Sequence, residues 1–101
     1  MRFAIAALAA AIASPVCADD IATCKHAAGL AGTIMDARQK GASVKDVIEP
    51  VLAATPEGSR RLMKQIVLLA FEQPRFSSPD NQARAVTDYE NTTFINCMEA
   101  F

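Results

Sequence analysis

Two cysteines constrain this chain more than any other feature. Cys24 and Cys97 stand 73 positions apart. Each falls in an apolar-periodic segment long enough for a helix of roughly 30 Å at 1.5 Å per residue. Cys24 lies near the start of the first such segment, and Cys97 near the end of the last. Bonded cysteines need Cα atoms within ~7 Å of each other. A Cys24–Cys97 disulfide therefore forces the first and last helices to lie side by side and antiparallel. Four elements in up-down order give that orientation, whereas three would make the outer two parallel. Closing so long a loop contributes on the order of 4 kcal/mol, against ~5–15 kcal/mol for a typical domain.

The pairing depends on compartment, and the start of the chain speaks to that. Residues 1–18 read MRFAIAALAAAIASPVCA: Arg2 is the only charge, an apolar run from Phe3 to Ala13 follows, and small residues close the segment. That is the layout of an export signal. The run falls short of the ~20 apolar residues that a membrane-spanning helix needs, and the expected mature chain, residues 19–101, has no transmembrane segment. Cleavage after Ala18 removes Cys17 and leaves an even pair of thiols. Cleavage after Ala13 would leave three, one of them unpaired in an oxidising space. The first exit is preferred and the second stays open. Lipidation of Cys17 fits poorly, because Val16 precedes it. The expected location is the periplasm, where disulfides persist.

Residues 19–101 are expected to form one all-α domain, a small bundle of three to four helices. There is no alternating run that would signal a strand. The first helix spans about Asp20 to Lys40, with Ile21, Cys24, Ala28, Ala31 and Met35 as its stripe, widened by Ala27, Leu30 and Ile34. Gly41 is a natural stop. Gly29 and Gly32 cost helix propensity and suggest close approach of a neighbour. Ser43 is positioned to cap a second helix, which Pro50 should end or kink. Thr55 and Pro56 read as cap and first turn of a third helix. Its broad apolar surface includes Leu62, Met63, Ile66, Val67, Leu69 and Phe71, and Pro74 ends it. Ser78 and Pro79 open the last helix.

Composition narrows function mainly by exclusion. The chain carries 10 Lys+Arg and 11 Asp+Glu. Arg2 leaves with the signal, so the remainder has a net charge of −2, and no basic face points to nucleic acid. The single histidine, His26, sits on the polar side of the first helix, two residues from Cys24. A nucleophilic pair would need a free cysteine, and a zinc site would need three or four close ligands. No enzyme, cofactor or metal is expected. Arg60, Arg61 and Lys64 read as an ordinary solvated face.

Two stretches are more specific, Met35-Asp36-Ala37-Arg38-Gln39-Lys40-Gly41 and Ala70-Phe71-Glu72-Gln73-Pro74. With Cys24 and Cys97 they resemble a group of small exported proteobacterial proteins of unassigned function. Those chains combine an early Cys, Met-x-x-Arg-Gln-x-Gly, Ala-aromatic-Glu-x-Pro and a late Cys. The resemblance implies the same architecture and brings no activity. Both segments are helix ends, where Arg38 and Glu72 can pair, and helix-stop chemistry explains them more simply than a binding site.

The leading expectation is a non-enzymatic protein-interaction module. Its candidate surface is a helical face, or the corner of Arg38, Glu72, Arg75 and Phe76, because an aromatic beside arginine is what binding hot spots favour. An acid-stress chaperone or an immunity protein would fit the same size and compartment. The alternative is a binder of lipid or a small apolar ligand, using Leu62, Ile66, Leu69 and Phe94. The partner and the oligomeric state are not legible.

Overall fold

The computed structural model describes residues 18–101, so the expected export signal lies outside the described residues except for Ala18. Among the described residues there are four helices, α1 (Ala18–Gln39), α2 (Val44–Ala53), α3 (Arg60–Glu72) and α4 (Pro79–Glu99), with a 3₁₀ turn (Glu57–Ser59) before α3. There is no strand among the described residues. The fold is the expected all-α bundle. Cys24 and Cys97 are bonded with Cα atoms 5.5 Å apart. The bond joins α1 to α4, and these two helices share the most extensive contact among the described elements. The α2–α3 hairpin packs on α1, whereas α3 and α4 have little backbone contact with each other.

α1 buries Cys24, Ala27, Ala31, Gly32, Ile34, Met35 and Gln39, an arc wide enough to meet neighbours on both flanks. Ile21 and Leu30 were expected on this face but are exposed. Ile21 lies a turn beyond the disulfide toward the start of the helix, and Leu30 falls just outside the arc. Of the two glycines, only Gly32 marks a close approach. A Cβ there would come within 2.7 Å of Glu90 Cγ on α4, whereas nothing lies within 4 Å of Gly29.

α1 stops as expected at Gly41, whose φ is +92°. The Ala42 N–H donates to Ala37 O (3.0 Å) and the Gly41 N–H to Arg38 O (3.1 Å), the paired bonds of a Schellman stop. At α4 the Ser78 hydroxyl accepts from the Asn81 N–H at 3.2 Å, with Pro79 in the first turn.

Three helix-end expectations need correction. Ser43 holds the N-cap position of α2 but makes no side-chain capping bond. Pro50 does not end α2, which runs on to Ala53. Its missing N–H frees only the carbonyl of Asp46, an exposed residue that water can satisfy. Thr55 does not cap α3. Its hydroxyl donates back to Val51 O at 2.6 Å and so closes α2, and the 3₁₀ turn delays α3 to Arg60.

The buried core is small: Ala31, Ile34, Met35, Met63, Ile66, Val67, Ala70 and Tyr89, ringed by half-buried Val47, Ile48, Val51, Leu52 and Phe71. Few large side chains are fully enclosed, which makes a covalent staple valuable at this size.

Candidate functional site

The two specific stretches of the sequence meet where the C-termini of α1 and α3 converge. Each helix end presents outward-pointing carbonyls and the negative pole of its dipole. Arg38 of α1 donates from Nε and Nη2 to Gln73 O, at 3.2 and 3.1 Å, at the end of α3. Arg75, just past α3, donates from Nε to Gln39 O at 2.9 Å, at the end of α1. The two arginines thus cap each other's helices. The Arg38 guanidinium also lies over the Phe71 ring, 5.6 Å from its centre, close enough for cation–π attraction. Arg75 passes so near Gly41 that a Cβ there would sit 3.0 Å from Nη2.

Gln39 completes the clasp from inside. It is 1% exposed. Its Nε2 donates to Pro74 O at 2.9 Å, and its Oε1 accepts from the Phe76 N–H at 2.8 Å. Gln82 of α4 adds a bond from Nε2 to Phe76 O at 2.8 Å. Sequence reasoning gave Gln39 no role, although a signal was there: it continues the Ala31–Met35 stripe by one turn, a polar residue on an apolar line.

The structure therefore brings Arg38, Arg75 and Phe76 together, but commits both guanidinium groups to backbone carbonyls. Arg38 and Glu72 form no ion pair; Glu72 is exposed. Phe76 remains 37% exposed. Cys24 and Cys97 lie at the other end of the bundle, in the bond already described. His26 is exposed on the rim of a hollow of about 330 Å³ lined with Leu30, Pro50 and Met63. No group of three His, Cys, Asp or Glu residues is placed to hold a metal among the described residues. No helix among them is long and apolar enough to cross a membrane.

The larger surprise lies between α3 and α4. Leu62 and Leu69, from the broad apolar surface of α3, are each 51% exposed, Leu68 is 40% exposed, and Phe101 is 56% exposed. α3 has more apolar surface than α1 and α2 can cover, because α4 pairs with α1. The uncovered side forms one wall of a trough. Near the disulfide it is an apolar groove of about 300 Å³ lined by Leu62, Ile66, Leu69, Tyr89, Cys97 and Phe101. A second hollow of about 470 Å³, lined by Leu69, Gln73, Phe76, Asp88 and Tyr89, continues it to the clasp. The two share Leu69, Tyr89 and Thr92, so the trough runs from Phe101 to Phe76. Phe94, grouped with the leucines from sequence, does not line either hollow.

Tyr89 forms the floor. Its hydroxyl donates to Ile66 O and ties α4 to α3. Burial pushes its phenol up to about 12 from 10.0, with a bond from the Ala70 backbone lowering it and the nearby Glu72 charge raising it.

Compared with known proteins, the chain matches no family model, no curated protein and no solved structure.

Proposed function

We propose that this chain is an exported periplasmic protein that works as a non-enzymatic interaction module, and that the α3–α4 trough is the face it presents. The observation that carries the reading is the row of half-exposed apolar side chains, Phe76, Leu69, Leu62 and Phe101, along a continuous hollow. Large apolar groups gathered on one face of a small domain mark binding surfaces. The rest of the molecule serves as a frame: no buried side-chain polar atom lacks a partner among the described residues. The corner first singled out in the sequence keeps a part, since Phe76 forms one end of the trough while Arg38 and Arg75 hold the frame. The export signal read in residues 1–18 and the Cys24–Cys97 bond support an oxidising compartment, as does the resemblance to small exported proteobacterial chains.

The test is a photoreactive phenylalanine placed at Leu69, and separately at Lys45 on α2, in the full chain expressed with its own leader. Position 69 should give a discrete protein adduct in the periplasm and position 45 none. Absence of any adduct from position 69, with the chain exported and oxidised, would remove the reading.

A second reading has its own support. Leu62, Ile66 and Leu69 all line the groove near the disulfide, whose volume suits a small apolar molecule. Native mass spectrometry would then show a bound lipid or similar compound, displaced by Leu69→Asp.

A further inference from the structure

We infer that the occupant of the trough is the trough of a second copy, with α3 of each chain lying on α4 of the other; this names the partner for the interaction face and rests on that reading. The two walls differ in charge. On α3, Arg60 and Lys64 turn away from the groove-lining Leu62 and Leu69, which leaves Arg61 at the trough edge, with Glu72 on the same side nearer the clasp. On α4, Asp80 turns away and Glu90 packs at Gly32 of α1, which leaves Asp88 and Glu99 at the trough edge against the single base Arg84. Helical spacing puts Arg61 and Leu68 on the outer shoulder of α3, beside the groove-lining Leu62 and Leu69. It puts Asp88, Ile95 and Glu99 on the outer shoulder of α4, beside Tyr89 and Thr92.

A two-fold axis running along the helices keeps every residue at its height and exchanges the walls. Arg61 on the shoulder of α3 then meets the acidic shoulder of the partner's α4. Leu62 and Phe101 line the same end of the groove, so Arg61 comes level with Glu99 of the partner subunit. Leu68, 40% exposed, and Ile95, 55% exposed, lie on the facing shoulders. A foreign helix filling the trough would need an acid opposite Arg61 and a base opposite Glu99. A second copy supplies both by symmetry, and twice over. The opposite end is less favourable, since Glu72 approaches the partner's Asp88 with Arg84 one turn away. Pairing specificity therefore concentrates at the disulfide end.

The experiment uses the oxidised, processed chain in analytical ultracentrifugation and native mass spectrometry across concentration. A dimer is expected. Arg61→Glu should weaken it roughly tenfold, because two symmetric exposed pairs turn repulsive. Glu99→Arg should do the same, and the double exchange Arg61→Glu/Glu99→Arg should restore dimerisation. Leu69→Asp should abolish it with the far-ultraviolet helical signal intact. Lys45→Glu on α2 should change nothing. A chain that stays monomeric at all concentrations overturns the inference. So does a dimer indifferent to Leu69→Asp, or a double exchange that fails to rescue. If the adduct at position 69 is a different protein and the pure chain is monomeric, the interaction reading stands and the second copy falls. If a small apolar compound fills the groove of a monomer, the inference falls as well.

Discussion

Gln39 is the residue on which the lower end of the bundle turns. Its amide gives one bond and takes one from the backbone of the 74–76 segment, and the side chain is sealed from water. Gln39→Leu keeps the volume and removes both partners, leaving Pro74 O and the Phe76 N–H unmatched at a partly buried site. Unpaired groups of this kind cost ~1–3 kcal/mol each before water rescues them. We expect a loss of about 2–3 kcal/mol in urea unfolding, with the α1–α4 disulfide intact; a loss below ~0.5 kcal/mol would mean that the arginines alone hold the loop. Tyr89 offers a second handle at this scale. It is the sole tyrosine and the chain has no tryptophan, so phenolate absorbance reports on it alone. With the folded phenol near 12 and the unfolded one near 10, the contribution is fully present below pH 10 and is lost as pH rises from 10 towards 12. The titration midpoint should lie near 12 in buffer and fall to about 10 in strong denaturant. Tyr89→Phe should flatten stability across that window. A midpoint near 10 in the folded chain would place the phenol in water.

At the scale of elements, helix ends decide most of what differs between pattern and structure. The α1 stop needs a residue at φ +92° directly under the Arg75 guanidinium. Gly41→Ala therefore combines a left-handed backbone penalty of ~1–2 kcal/mol with pressure on the Arg75–Gln39 bond. Thermal unfolding should show a destabilisation of about 2 kcal/mol, while Gly29→Ala, in open space, should be neutral or stabilising. A Gly41→Ala chain as stable as its parent would mean that the clasp relaxes freely. The same ends show what was legible. Gly41, Ser78-Pro79 and the cysteine positions specified the stop of α1, the start of α4 and the antiparallel order, because each carries a local constraint. Thr55 and Pro50 misled because their local preferences have two outlets: Thr55 bonds backwards to Val51 instead of forwards into α3. The exposure of Leu62 and Leu69 was not legible at all. Periodicity reports that α3 is broadly apolar, but only the pairing of α4 with α1 determines which side goes uncovered. The clasp was half legible, as two adjacent helix ends rich in Arg, with its buried glutamine hidden among polar neighbours.

Across the whole molecule, α1 acts as a post with a fastener at each end. The disulfide ties α4 to it near Cys24. The arginine clasp ties the end of α3 to it near Gln39. α3 and α4 have little backbone contact and are tied by the Tyr89 bond and the 73–78 loop, so the two fasteners set the width of the trough between them. The bridge is the stronger of the two, because it restricts the unfolded chain. A crosslink spanning 73 positions contributes on the order of 4 kcal/mol, against a core with few large enclosed side chains. The clasp closes a shorter loop with exposed and part-buried polar bonds, each worth ~1 kcal/mol. Removing the bridge should therefore do more than loosen one end. In Cys24→Ser/Cys97→Ser, or in the chain reduced under native conditions, we expect a loss of about 4 kcal/mol and a fall in Tm of roughly 20 °C. Because α4 supplies one wall of the trough, binding at the trough should weaken at temperatures where α1 and the α2–α3 hairpin still give helical signal. Circular dichroism with a cross-link yield at position 69, measured on the oxidised and reduced chains side by side, separates the two effects. Equal stability and equal yield in both states would show that α1–α4 packing, and not the sulfur bridge, holds the fourth helix in place.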